Sequence, residues 1–191
     1  MSRLKIIDVP EDTQLYQDAL TGFLFSMPEK TASDDISVIS ASKITDCHTY
    51  AIIDALKKPD IAVLLDAYET EWSCLWKGEL GEQFSLYAPY IVRLEKDKPF
   101  TEWLIRSSRG NGWGIFIRSY LSLNELTHHL RKFNQLYDEV NKMWVMFRYY
   151  APETVRDFIP FLPADDFAEF TTGLTNIICE NPKEKNSLVF I

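Results

Sequence analysis

The sequence predicts an α/β fold: a mixed β-sheet flanked by helices, with a small C-terminal helical lobe. Three observations predict it. Short segments rich in β-branched and aromatic residues alternate with segments of helical periodicity. The connection between the strand-like stretches 113–119 and 142–150 is long enough for a parallel crossover, which makes the sheet mixed. Beyond residue 150, Pro152 and Pro163 open two short helices. Residues 1–48 are then an N-terminal extension packed on the main body, 49–150 the α/β core, and 151–191 the C-terminal helical lobe with a final strand.

Each element has its own signature. Residues 12–27 place Leu15, Ala19, Leu20 and Phe23 at helical spacing, with Asp12 as cap and Pro28 as stop. The polar run 28–37 reads as a loop or linker. TYAIID (49–54) reads as a strand, and a helix follows with Ile61, Leu64, Leu65 and Tyr68 on one stripe. APYIVRL (88–94) is a second strand, entered through Pro89 where the missing N–H does least harm. Residues 100–107 are helical, and Trp113, Ile115 and Ile117 then alternate with Gly114, Phe116 and Arg118 as in a strand.

Ser122-Leu123-Asn124-Glu125 has the form of a capping box and starts a helix striped by Leu123, Leu126, Leu130, Phe133 and Tyr137. KMWVMFRYY (142–150) carries the strongest strand signature, with Met143, Val145, Phe147 and Tyr149 on one face. Closing strands are expected at 175–179 and 187–191.

Composition narrows the function classes. The 20 basic against 28 acidic residues give a net charge of -8, which repels phosphate backbones and anionic lipid. Nucleic acid and membrane are therefore not expected as partners. The N-terminal sequence lacks the apolar run of a secretory signal. Cys47, Cys74 and Cys179 are odd in number and widely spaced, as in reduced thiols. A soluble cytoplasmic protein is expected.

Three of the chain's glycines fall within GNGWG (110–114), which invites comparison with a phosphate loop. Such a loop needs a helix immediately after it. Here a helix enters the cluster and a strand leaves it. Gly110 or Gly112 is instead expected to end the helix in a left-handed conformation, and Gly114 to permit close backbone approach within a sheet.

Candidate catalytic sets are weak. His128 and His129 are neighbours on one helix and do not face each other. Cys47, His48 and Asp54 could form a thiol–imidazole–carboxylate set, although adjacent residues of an extended chain point opposite ways. Asp165 and Asp166 sit where acids stabilise a helix's first turn. No pattern indicates a metal ligand set or a cofactor, so no catalytic, metal or cofactor residue is assigned and the protein is read as not an enzyme. Arg148 shares a strand face with Trp144 and Met146 and is expected to have a carboxylate partner or a position near the sheet end.

Four segments taken together resemble one family. YAIIDAL (50–56), YAPYIVRL (87–94), WGIFIRSYLSLNELTHHLRK (113–132) and VMFRYYAPETV (145–155) follow the order and spacing of the adaptor chaperones of type VI secretion, domain-of-unknown-function family 4123. The resemblance covers roughly residues 49–180. Trp113 and Gly114 match the family's strand-opening pair, and Arg148, Tyr149, Tyr150 and Pro152 its arginine and tyrosines before a proline. Ala151 and Glu153 depart from the pattern, where the family usually has Asp before the proline and often Arg after it.

The resemblance implies a non-catalytic adaptor in the bacterial cytoplasm. It would bind a secreted effector toxin and help load it onto the valine–glycine repeat spike protein. An immunity protein against such a toxin, or a small hydrolase using Cys47 and His48, are the alternatives. Residues 149–173 combine prolines, acids and aromatics, so Tyr149, Tyr150, Phe158, Phe161, Phe167 and Phe170 are the expected partner-binding residues. The same phenylalanines could equally seal the lower face of the sheet. Arg148, Asp54, Trp113 and Gly114 are expected to act structurally.

Overall fold

The computed structural model describes residues 2–26, 47–78 and 84–191. Its frame is a seven-stranded sheet: β1 (Lys5–Asp8), β2 (His48–Asp54), β3 (Trp72–Cys74), β4 (Pro89–Leu94), β5 (Gly114–Ser119), β8 (Leu174–Glu180) and β9 (Ser187–Phe190). The spatial order is β1-β9-β8-β5-β2-β4-β3. The remaining strands, β6 (Gln135–Asp138) and β7 (Met143–Met146), form a separate two-stranded hairpin.

The α/β class holds, with helices on both faces of the sheet. The pairings within it are all antiparallel, so the crossover expected between 113–119 and 142–150 is not made. The reason lies in the second segment. Residues 143–146 pair with β6 instead of joining the sheet, and β5 takes β2 and β8 as its neighbours.

Strand β2 explains why its sequence is apolar without alternation. Ala51 and Ile53 enter a core with α1 (Thr13–Phe25), α2 (Ile61–Ala67) and α3 (Pro99–Ser108). Tyr50 and Ile52 enter a second core on the opposite face. A strand buried on both sides needs hydrophobic residues at every position. The first core takes Tyr16, Leu20 and Leu24 from α1, Ile61 and Leu65 from α2, and Phe100, Leu104 and Ile105 from α3.

The second core takes Leu123, Leu126 and Leu130 from α4 (Leu123–Leu130). It also takes Val155 of α5 (Pro152–Asp157), Ile159, and Phe170 of α6 (Ala164–Phe170). The proline-opened helices thus share one layer with α4.

Local signals act as the chain proposes. Asp12 Oδ1 accepts from the Leu15 N–H at 2.9 Å and caps α1. Around Ser122 both halves of the capping box are formed. Helix α1 turns Tyr16, Leu20 and Leu24 inward and leaves Leu15 exposed, so its buried stripe is offset from the one expected. The N-terminal segment also supplies an edge strand, Lys5 opposite Phe190 and Asp8 opposite Ser187. The run 28–37 lies outside the described residues.

Helix α4 stops at Leu130 and tightens into a 3-10 turn at Arg131–Phe133 before β6 begins. Tyr137, expected on the helix stripe, therefore stands on the hairpin. Trp72 lies on β3 and Trp76 in the bend that follows it. Among the described residues no helix is long and apolar enough to cross a membrane.

Candidate partner-binding surface

The glycine cluster comes first, because it anchors one end of the sheet. Gly110 has φ +75° and Gly112 φ +56°, both in the left-handed region that follows a helix end. The Gly110 N–H donates to both carboxylate oxygens of Glu180, at 2.8 and 2.9 Å. The Tyr16 hydroxyl donates to the same carboxylate at 3.3 Å. The loop does cradle an anion, but the anion is the chain's own. Burial raises the Glu180 pKa, against the opposing pull of the backbone amides and Arg109.

Gly114 meets the backbone of β2 so closely that a Cβ there would lie 1.8 Å from Ile52 O. Trp113 stacks on Trp103 with ring centroids 5.7 Å apart, and Lys58 Nζ stands 5.3 Å from the Trp113 ring centre. Both residues pin the end of β5 where it meets β2.

Arg148 is paired with Asp54, which is 2% exposed at the end of β2. Asp54 also accepts from the Leu56 N–H at 3.0 Å. Arg148 lies beyond β7 in non-strand backbone, so it does not share a sheet face with Trp144 and Met146. Its partner is nonetheless a carboxylate, which offsets the cost of partial burial.

The expected partner-binding aromatics divide. Tyr149, Tyr150 and Phe170 are buried in the second core and offer no surface. Tyr149 makes edge contacts with both Tyr150 and Phe170, at 5.3 and 5.7 Å between ring centres. Phe167 is half-buried beneath the Arg3 guanidinium, 4.3 Å from its ring centre. Phe158 and Phe161 are exposed, Phe161 at 75%. Three of the six expected rings are thus buried against the sheet, and Phe158 and Phe161 remain exposed.

The Cys47, His48 and Asp54 set is not assembled. His48 and Asp54 occupy opposite ends of β2, about 20 Å apart at the rise of a strand. His48 Nδ1 contacts Arg93 at 3.2 Å, and Cys47 Sγ lies 3.7 Å from Thr175 Oγ1. His129 is buried with Nε2 2.9 Å from Phe170 O, whereas His128 is exposed. Asp165 and Asp166 are exposed in the first turn of α6.

Sequence reasoning missed the hairpin. Every residue of β7 is exposed: Met143, Trp144, Val145 and Met146. Tyr137 and Val140 are exposed on the same hairpin, Val140 at 89%. The signal was present in Asp138-Glu139-Val140-Asn141-Lys142, a polar turn between two alternating segments. Asp138 Oδ1 accepts from the N–H groups of Val140 and Asn141, at 2.8 and 3.1 Å, and closes that turn.

The family model described as "Domain of unknown function (DUF4123)" matches residues 49–169, more than half of the chain. The chain belongs to this family. The match starts at β2 and ends within α6, so the family's segment holds both the hairpin and the Arg148–Asp54 pair. Comparison with curated proteins and with solved structures found no match.

Proposed function

We propose that this protein is a non-catalytic adaptor of type VI secretion: it holds an effector protein in the cytoplasm and helps load it onto the valine–glycine repeat spike protein. The observation that carries this reading is the match to the DUF4123 family over residues 49–169, a family of type VI secretion effector adaptors. An adaptor needs an exposed apolar surface, and the hairpin together with Phe158 and Phe161 supports that requirement. The test is co-expression with candidate effector and spike proteins of a type VI secretion system from the same source, followed by affinity purification. The adaptor reading expects a complex stable to gel filtration that contains the effector. Recovery of neither protein overturns it, and protection of a target cell from the toxin would favour an immunity protein.

A further inference from the structure

We infer that the β6–β7 hairpin and the groove at its base are the surface that takes the partner, and that the partner presents an extended segment carrying both acidic and apolar side chains. The inference rests on the adaptor reading and names the chemistry of its contact.

The hairpin is anomalous as a folded element. A two-stranded hairpin is marginally stable alone in water and normally lays one face on a core. On one face, Tyr137 and Trp144 stand opposite each other with ring centres 5.4 Å apart, beside Gln135 and Met146. On the other, Leu136 pairs with Val145 and Asp138 with Met143. All four β7 side chains and Gln135 and Tyr137 of β6 are exposed, so the Tyr137–Trp144 face has no cover among the described residues, while Leu136 and Asp138 on the other face are half-buried. Natural sheets protect such edges with charge, bulges or proline, and MWVM has none of these. An apolar strand with a free edge is what an incoming extended segment pairs with.

The root of the hairpin is held firmly. Phe147 N–H donates to Asn134 O at 2.8 Å and closes the base. Arg131 donates to Cys74 O at 2.7 Å and Asn134 to Leu75 O at 2.8 Å, tying the base to β3 and the residue after it. A surface fixed in advance loses less freedom when a partner binds.

Charge identifies the occupant. A groove of about 270 Å³ runs between the hairpin and the turn after β3, with Trp76, Trp144 and Met146 as its apolar part. Lys77, Arg131 and Lys132 line it, and its described lining contains no carboxylate. In a chain of net charge -8, three cations around two tryptophans form a local reversal of sign. Carboxylates flanked by apolar anchors satisfy both halves of this lining.

The test uses the full chain and the effector obtained by the co-purification above, with two variants, Trp144→Ser and the double reversal Lys77→Glu/Lys132→Glu. These side chains are exposed or half-exposed, so thermal midpoints and circular dichroism should match wild type. Expected is a loss of affinity of at least about tenfold for each variant. Wild-type affinity should also fall as salt is raised. If wild type retains the effector and both variants bind it as tightly, the inference is overturned while the adaptor reading stands. If wild type retains no effector, both fall. If Trp144→Ser only converts a wild-type dimer to monomer without weakening effector binding, the hairpin is a self-association surface and the inference is likewise overturned.

Discussion

At the scale of single residues, Gly114 carries the clearest consequence. Its missing Cβ lets β5 lie against Ile52 O, and that obstacle is backbone rather than a side chain able to rotate away. Gly114→Ala is expected to cost about 3 kcal/mol or more, at or above the upper end for overpacking. In a chain of this size that lowers the thermal midpoint by roughly 6–12 °C in calorimetry. Gly110→Ala meets open space and pays only for its positive φ, about 1 kcal/mol. A smaller effect at Gly114 than at Gly110 would contradict this ranking.

Glu180 gives a prediction in pH at the same scale. Burial raises its pKa in the folded protein above the unfolded value, so the folded state binds the proton more tightly. Its contribution to stability is then fully present below the unfolded pKa and is lost as pH rises through the folded one. The thermal midpoint of wild type minus that of Glu180→Gln should increase as pH is lowered from about 8 to about 4. A difference that shrinks on acidification would mean that the Gly110 amide and Arg109 outweigh burial.

At the scale of elements, α1 tests how far the N-terminal segment belongs to the core. Leu20 is fully buried between α1 and the sheet. Leu20→Ala should cost about 2–5 kcal/mol by denaturant titration, as for other buried leucines. A cost below about 1 kcal/mol would make the helix an appendage. The elements were unevenly legible in the sequence. β2, β4, β5, α3 and α4 follow from local apolar pattern, caps and prolines, which act over a few residues. Strand β7 has the same local pattern as β5, and only its tertiary neighbours separate the two: β5 has partners on both edges, while β7 pairs, among the described residues, with β6 alone. Burial of Tyr149, Tyr150 and Phe170 was illegible for the same reason, since composition reports that a ring is apolar and not what lies over it.

At the scale of the whole molecule, the two cores sandwich the sheet and the hairpin stands outside both. Amide hydrogen exchange should therefore be slowest in β2, β5 and β8 and faster by orders of magnitude in β6 and β7. Mass-spectrometric exchange resolves these segments. Protection of the hairpin equal to that of β2 in the isolated chain would show that something covers it, such as a second copy.

The pairing of β1 with β9 has a consequence in time. Lys5 lies opposite Phe190, so β1 cannot find its partner until everything between them has been made. Until β9 has been made β1 lacks its neighbour in the sheet, and β8 cannot take that place because β9 lies between them. Closure of that side of the sheet is therefore a late and slow step, as the forming of contacts of long sequence separation is. During that interval the apolar face of α1 depends on the remaining strands for cover. A ribosome stalled before residue 187 would hold a nascent chain whose first strand is made and unplaced.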